Sequence, residues 1–209
     1  MSNSETSDSG SDLLSQKQDT ESVPKAEPSQ KLTKIKKLLW RFLMPQIVSC
    51  LYYFLRYKCK ISPKAEVELS PNFTMDPGCT VGSFTKIKAS DGPLSMGERC
   101  GIANSCFIAA GSKGIAIGKN FICGPNVVIT ANNYIYSELD VHLEDQGQTS
   151  KGVKIGNNVW VGAGSVILDG TVLGDNTIVV ANSLVNRRYP PNSILQGNPA
   201  KVLMKRAAN

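Results

Sequence analysis

The chain has a single histidine, His142, which lies in a strongly polar stretch, residues 131–152. Imidazole titrates near neutral pH and is the side chain most often used as a general base. Carboxylates flank it closely, at Asp140, Glu144 and Asp145. A carboxylate within hydrogen-bonding distance would orient the ring and raise its basicity. His142 is therefore one candidate for the group that takes a proton from a substrate, and the neighbouring acids are others.

Cysteines are the other side chains with reactive potential, but their spacing is not that of a metal site. No pair has the separation typical of a zinc finger. The chain opens with about thirty polar residues rather than a cleavable signal peptide, so we expect reduced thiols and a cytoplasmic location. Most of the cysteines occupy small or aliphatic positions of the repeat described next, which predicts buried apolar roles. The six are Cys50, Cys59, Cys79, Cys100, Cys106 and Cys123.

The elements that must position such groups follow a six-residue period between Ile155 and Leu184. An aliphatic residue opens each unit, and a small or β-branched residue follows four positions later. A helix would show a 3.6-residue period and would avoid these glycines, and an ordinary strand would alternate every two residues. The period of six predicts a coil of short parallel strands separated by corners. The openers are Ile155, Val161, Ile167, Leu173 and Val179.

The same period occurs earlier in the chain, with interruptions. Units open at Leu69, Met75, Val81 and Ile87, and further units follow two short polar slips, the first at 89–94 and the second around Gly111 to Gly114. The period stops at residues 131–152, which predicts a loop that leaves the coil at one corner. Long ordered loops on repeat scaffolds often carry function.

Residues 31–60 combine lysines and arginines with an apolar run from Leu38 to Leu55. Arg41 and Pro45 interrupt this run, which is costly in a bilayer. We therefore predict a basic amphipathic helical segment. Three roles for it stay open: a cap on the end of the coil, a helix lying on a membrane surface, or a membrane span.

The sequence thus predicts an all-β solenoid with an N-terminal helical segment and a disordered N-terminal tail. The tail is polar and has too little apolar surface to offset the entropy of ordering. The predicted regions are 1–30 (disordered tail), 31–60 (basic amphipathic helical segment), 61–190 (β-helix with the protruding loop 131–152) and 191–209 (C-terminal tail).

Four short stretches, 146–147 (Gln-Gly), 152–156 (Gly-Val-Lys-Ile-Gly), 159–163 (Val-Trp-Val-Gly-Ala) and 197–201 (Gly-Asn-Pro-Ala-Lys), resemble the hexapeptide-repeat acyltransferases. Within that family they are similar to the maltose/galactoside and polysaccharide O-acetyltransferases. The resemblance covers roughly residues 65–206. It implies a left-handed parallel β-helix, a homotrimer, and acetyl-CoA or another acyl-CoA lying along the groove between neighbouring coils.

A donor site of this kind needs a smooth wall and positive charge. An extended pantetheine arm can lie against Gly162, Ala163 and Ala181, where larger side chains would block it, although the geometry of the repeat alone would also favour small residues there. Basic residues available for the CoA phosphates are Arg187, Arg188, Lys201, Lys205 and Arg206. By resemblance, the positions that contact CoA are Ala163, Ala181, Asn186, Arg187 and Lys201.

The resemblance also implies a catalytic histidine, but Asn132 stands at the aligned position. An amide cannot accept the proton, and loss of a general base typically costs about 100- to 10,000-fold in rate. His142 could act as a displaced base, it could be an ordinary loop residue in a catalytically weakened protein, or a loop carboxylate could replace it. One histidine per chain excludes the three-histidine zinc site of the carbonic anhydrases built on the same kind of coil, and no other metal cluster is evident.

Two function classes follow from these observations. The first is transfer of an acyl group from acyl-CoA to a hydroxyl or amine of a sugar or surface-polysaccharide precursor, at the inner face of a membrane. The second is a trimeric scaffold that has lost the usual catalytic histidine. The net charge of +6 does not indicate nucleic-acid binding, because aromatic residues are not interleaved with the charges of the repeat region.

Overall fold

The chain winds into a triangular coil of short strands that pair in parallel with the coils above and below. The computed structural model describes residues 46–207, except for the side chain of Gln46. The predicted tail at 1–30 and the first part of the predicted helical segment lie outside the described residues.

Three parallel sheets, named here A, B and C, form the walls of the coil. Sheet A contains β1 (Lys60–Ile61), β4 (Thr80–Val81), β7 (Gly101–Ile102), β10 (Ile122–Cys123), β15 (Trp160–Val161), β18 (Ile178–Val179) and β21 (Ser193–Gly197), and β22 (Ala200–Lys205) joins its end. Sheet B contains β2 (Glu66–Val67), β5 (Lys86–Lys88), β8 (Phe107–Ala109), β11 (Val128–Thr130), β16 (Val166–Ile167) and β19 (Leu184–Val185). Sheet C contains β3 (Phe73–Met75), β6 (Leu94–Met96), β9 (Ile115–Ile117), β14 (Val153–Ile155), β17 (Val172–Leu173) and β20 (Arg188–Tyr189).

The core is a column of side chains that follows the predicted period. All five openers of the regular region are buried, and so are the residues four positions after them. The latter are Val159, Ser165, Thr171, Thr177 and Ser183. Each buried aliphatic side chain contributes roughly 1.5–3 kcal/mol, so the repeat itself supplies most of the driving force. The prediction differs at Leu69, which is only partly buried, because Val67 of β2 fills the interior there.

The corners between the sheets need residues that tolerate a left-handed backbone. At the corner from sheet C to sheet A, named corner CA, the turn residue has a positive φ in every coil. Three of these residues form a ladder, because Asn158 donates to Asn176 over 2.8 Å and Asn176 donates to Asn192 over 3.0 Å. Asparagine enters the left-handed region more readily than most side chains. The residues are Gly78, Arg99, Asn120, Asn158, Asn176 and Asn192.

Every insertion interrupts the corner from sheet B to sheet C, named corner BC. The two predicted slips fall between β5 and β6 and between β8 and β9, and the predicted loop at 131–152 falls between β11 and β14. Inside the loop, β12 (Asn133–Tyr134) pairs antiparallel with β13 (Gln148–Thr149). Insertions from successive coils are therefore neighbours in space.

Helix α1 (Gln46–Tyr57) closes the N-terminal end of the coil. Tyr53 is fully buried, packs with its ring centroid 5.5 Å from that of Phe73, and donates its hydroxyl to the Glu68 carbonyl oxygen over 3.0 Å. Burial raises the pKa of Tyr53, so it stays protonated as this donor. Of the three roles left open by the sequence, α1 therefore performs the cap, and no described helix has the length and apolar character needed to cross a bilayer.

A hairpin closes the C-terminal end. β21 continues sheet A by pairing with β18, and β22 folds back against β21. The solenoid therefore extends past residue 190, where the sequence suggested that a tail begins, because Leu195 adds one more buried side chain to the column. The Asn198–Pro199 bond in the turn of this hairpin is cis.

Replacement of Tyr53 should show how much the cap contributes to stability. Tyr53→Ala should lower the free energy of unfolding by roughly 3–5 kcal/mol, because it leaves a cavity under α1. Tyr53→Phe should cost only about 0.5–1.5 kcal/mol, the value of one hydrogen bond. Urea denaturation followed by circular dichroism measures both. Leu55→Ala is the control, since Leu55 is 71% exposed on the same helix, and an equal loss in that variant would contradict the cap.

Candidate functional site

A shelf of backbone and small side chains lies at the corner from sheet A to sheet B, named corner AB. A Cβ atom on Gly162 would lie 2.5 Å from the Ala181 nitrogen, and one on Gly124 would lie 2.7 Å from the Ala163 nitrogen. Successive coils therefore touch here through their backbones. Ala181 is exposed and Ala163 is half-exposed. The structure thus brings three predicted donor-site residues, Gly162, Ala163 and Ala181, onto one edge.

Lys201 lies at the same edge because of the C-terminal hairpin. The Gly197 amide donates to the Ser183 hydroxyl over 3.2 Å, which fixes the turn of the hairpin two residues beyond Ala181 in corner AB. Lys201 pairs with Gln196 across the hairpin and is exposed. A cation thus stands beside the end of the shelf, as a phosphate-bearing arm would require.

Asn186 and Arg187 lie at corner BC of the last coil, and both are exposed. Arg187 interacts with Tyr189, whose hydroxyl donates to the Ala200 carbonyl oxygen over 2.8 Å. Burial raises the pKa of Tyr189, and the nearby Arg187 guanidinium partly offsets that rise. Arg187 is therefore linked through Tyr189 to the residue preceding Lys201, although both Asn186 and Arg187 are at a different corner from the shelf.

The other basic candidates point elsewhere. The Lys205 ammonium donates to the Pro191 carbonyl oxygen over 3.3 Å, and Arg206 donates to the Asn176 carbonyl oxygen over 3.0 Å. Both contacts are at corner CA. Arg188 faces outward from sheet C beside Val172. The structure therefore does not gather all of the predicted cations into one phosphate site within a single chain.

Asn132 lies at the root of the 131–152 loop with both ends of its amide occupied. Its oxygen accepts from the Thr130 hydroxyl over 2.8 Å, and its nitrogen donates to the Gln148 side-chain oxygen over 2.7 Å. Asn132 thus ties the last strand before the loop to the returning strand β13. The residue at the predicted catalytic position therefore holds the two ends of the loop together.

His142 lies in the outer part of the same loop and is exposed. Within residues 46–207 its ring makes no hydrogen bond or ion pair, so neither Asp140 nor Glu144 orients it. Gln146 braces this outer part, because its amide nitrogen donates to the carbonyl oxygens of Glu138 and Val141 over 2.8 and 2.9 Å. The paired strands β12 and β13 separate His142 from the root at Asn132.

A buried carboxylate that the sequence analysis did not select holds the returning end of the loop. Asp169 is 8% exposed. It accepts the backbone amides of Lys151 and Gly152 over 2.8 to 2.9 Å, and the Asn133 side chain donates to it over 3.4 Å. The only signal in the sequence was a charged residue within a regular hexapeptide unit. Asp169 fixes where the loop rejoins the coil.

The cysteines are side chains of the core rather than a reactive cluster. All six thiols are free, and all except Cys50 are buried. The Cys106 and Cys123 sulfurs lie 3.9 Å apart, and the hydrogen bond between them lowers the pKa of Cys106 and raises that of Cys123. Among residues 46–207, no group of three or more His, Cys, Asp or Glu side chains is placed to bind a metal.

Comparison with known proteins finds sequence similarity to hexapeptide-repeat transferases. The family model described as bacterial transferase hexapeptide (six repeats) matches residues 152–187. A putative lipopolysaccharide biosynthesis O-acetyl transferase of Escherichia coli K12 is 26% identical over 158 residues, which is 72% of this chain and 78% of that protein. The galactoside O-acetyltransferase of the same organism is 36% identical over 90 residues. The match spans less than half of that relative, 43% of its length and 43% of this chain.

Solved structures support the architecture. An N-acyltransferase from Bacillus cereus, determined as a mutant in complex with dTDP and coenzyme A, superposes with a TM-score of 0.64 at 18% identity. The superposition covers 75% of this chain and 88% of the other. At this identity the likeness concerns the fold.

The backbone contact at corner AB predicts that a side chain at position 162 destabilises the protein. Gly162→Ala should destabilise the protein by about 1–3 kcal/mol, because the new methyl group meets the backbone of the next coil. Gly101→Ala is the matched control, since its Cβ would meet only the Thr80 hydroxyl at 3.5 Å. Thermal unfolding followed by circular dichroism measures both variants. Equal melting temperatures for the two would show that the coils are not in backbone contact at Gly162.

Proposed function

We propose that this chain is a hexapeptide-repeat acyltransferase with a left-handed parallel β-helix fold, and that it transfers an acyl group from acyl-CoA to a sugar. The donor is acetyl-CoA or another acyl-CoA. The acceptor is a hydroxyl or amine of a sugar or of a surface-polysaccharide precursor. Its oxygen or nitrogen attacks the thioester carbonyl, the CoA thiolate leaves, and the attacking group loses its proton.

The shelf at corner AB, together with Lys201, carries this proposal. Gly162, Ala163 and Ala181 leave an unobstructed edge along two successive coils, and an extended arm needs such an edge. Lys201 stands at the end of this edge with its charge exposed. Arg187 is a further cation, but it lies at corner BC, where it interacts with Tyr189. The shelf positions the donor by proximity, which contributes to rate even where acid-base catalysis is weak.

The state of Asn132 favours a second candidate function, a trimeric scaffold without catalysis. An amide hydrogen-bonded at both ends supports the loop rather than removing a proton. His142 is the single histidine of the chain, and it lies in the outer part of the loop, beyond the paired strands β12 and β13. Only a contact between chains or a movement of the loop would bring it to the donor.

We expect the active assembly to be a homotrimer. The outward face of sheet A carries adjacent large apolar side chains, since Ile122 pairs with Trp160 and Trp160 pairs with Ile178. Ile122 and Trp160 are 57% and 51% exposed in the single chain. Contact with further copies would remove this apolar surface from water.

Helix α1 supports peripheral contact with the inner face of a membrane, in the cytoplasm. Its outer face exposes large apolar side chains while Tyr53 caps the coil. Arg56, Lys58 and Lys60 follow at its C-terminal end and are exposed. An apolar helix face next to cations is the combination that binds anionic lipid surfaces. The exposed apolar residues are Ile47, Val48, Leu51, Tyr52, Phe54 and Leu55.

Thiol release from acetyl-CoA in the presence of sugars and nucleotide sugars tests the proposed activity. The parent chain should release CoA thiol with at least one acceptor, and His142→Ala should lower the rate about 100-fold or more if His142 is the base. If the parent is inactive while Asn132→His gains activity, the donor site is intact and the scaffold interpretation is correct.

Co-sedimentation with phosphatidylserine-rich vesicles tests the membrane contact. Leu51→Ser/Leu55→Ser should reduce the bound-to-free ratio by at least about tenfold, because two exposed leucines no longer enter the lipid. Leu139→Ser/Leu143→Ser is the matched control, since these leucines are exposed on the 131–152 loop. Equal binding by the parent and the α1 variant would refute the proposal.

A further inference from the structure

A small basic cleft lies on the outer face of sheet C, away from the shelf. Ser95, Ala116 and Lys154 are neighbours in register on three successive coils and point outward. The first two are short, which leaves a depression beside the long Lys154 side chain. Lys113 and Lys151 border it from corner BC. The cleft has a volume of about 130 Å³ and is lined by Pro93, Ser95, Lys113, Gly114, Ile115, Ala116, Lys151, Gly152, Val153 and Lys154.

This depression is named here the lysine cleft. Among residues 46–207, none of its three lysines forms an ion pair with a carboxylate. The ion pairs within residues 46–207 are Lys86 with Glu66 and Lys119 with Glu98. Asp169 lies close, but it is buried and accepts backbone amides of the loop end rather than a lysine ammonium group. Three cations that share one depression repel each other, and an anion bound between them would relieve this repulsion.

The lysine cleft is joined directly to the root of the loop. The Lys113 amide donates to the Ser150 hydroxyl over 3.1 Å, and that hydroxyl donates to the Ala131 carbonyl oxygen over 2.5 Å. Ala131 precedes Asn132, so the cleft and the predicted catalytic position share corner BC. The Ser150 hydroxyl therefore links the Lys113 backbone to this root.

The size of the cleft selects the group that enters it. Sites for whole small molecules have volumes of about 300–1,000 Å³, so the lysine cleft admits only part of a ligand. Ammonium groups act as point charges toward phosphate, and Ser95 adds a hydroxyl on the same wall. A phosphate or diphosphate attached to a larger molecule satisfies both the volume and the charge.

We propose that the lysine cleft binds the phosphate of the acceptor substrate, so that the acceptor is a sugar phosphate or diphosphate-linked sugar rather than a free sugar. This inference rests on the proposed function and specifies its substrate class. The donor shelf lies at corner AB, whereas the cleft lies between sheet C and corner BC. The cleft therefore serves a different phosphate from the one expected beside Lys201. Nucleotide-linked and lipid-linked sugars both carry the required group.

Isothermal titration of the full chain with inorganic pyrophosphate tests the cleft without turnover. Lys113→Gln/Lys151→Gln/Lys154→Gln should weaken pyrophosphate binding by at least about tenfold, because three charge-assisted contacts are lost. Lys86→Gln/Lys88→Gln/Lys119→Gln is the matched control, since it removes the same charge at positions outside the cleft. An equal loss in both variants, or no binding by the parent, would overturn the inference.

Two further titrations identify the source of the phosphate. Uridine diphosphate that binds more tightly than pyrophosphate indicates a nucleotide-linked acceptor, whereas equal affinities indicate a lipid-linked one, and both results support the cleft. Displacement of pyrophosphate by CoA but not by dephospho-CoA would assign the cleft to the donor and overturn the inference. Because no step requires acyl transfer, an inactive protein that shows the cleft-specific loss of binding would refute the proposed function alone.

Discussion

Backbone contact between successive coils is the constraint on which the rest of this structure depends. The coils stack so closely at the corners that a single methyl group on Gly162 or Gly124 would meet the main chain of the next coil. Parallel strands of two or three residues provide few hydrogen bonds each, so stability comes from adding coils with a continuous buried column. Small corner residues allow that addition. Because the corner residues are small, the outer edge of the coil is smooth, and at corner AB this edge is the shelf.

A solenoid built in this way has two open ends, and both are closed by chain outside the regular repeat. Tyr53 of α1 covers the first interior layer, and the hairpin of β21 and β22 covers the last, where Tyr189 bonds to Ala200. Each cap also positions residues of functional interest. The hairpin places Lys201 beside the shelf, and α1 presents apolar side chains and nearby cations to the surroundings. Capping and function thus use the same elements.

Insertions accumulate at corner BC, and they determine where specificity can arise. Only this corner departs from the regular turn in several successive coils, so the 131–152 loop, Asn132 and the lysine cleft are neighbours. Asp169 anchors the returning end of the loop through backbone amides, and the Ser150 hydroxyl links this end to Ala131 and to Lys113 of the preceding coil. The root of the loop is therefore rigidly defined by hydrogen bonds, while His142 in its outer part has no such partner among the described residues. The root of the loop is therefore held in place by hydrogen bonds, whereas its outer part is free to contact another molecule.

The sequence alone determined the coil, its inward-facing residues and the extent of the main loop, because a period of six leaves a strong and local signal. It also selected Gly162, Ala163, Ala181 and Lys201, which the fold brings to one edge. It did not determine that Lys205 and Arg206 bond to corner CA, that the solenoid continues to Leu195, or that Asp169 clamps the loop. Nor did it reveal the lysine cleft, whose three lysines are up to 41 positions apart in the chain. These features depend on which residues of successive coils lie next to each other. Each insertion changes that alignment but leaves the six-residue pattern on either side unchanged. Only the tertiary structure determines these contacts, because they join residues that are far apart in the sequence and become neighbours when one coil stacks on another.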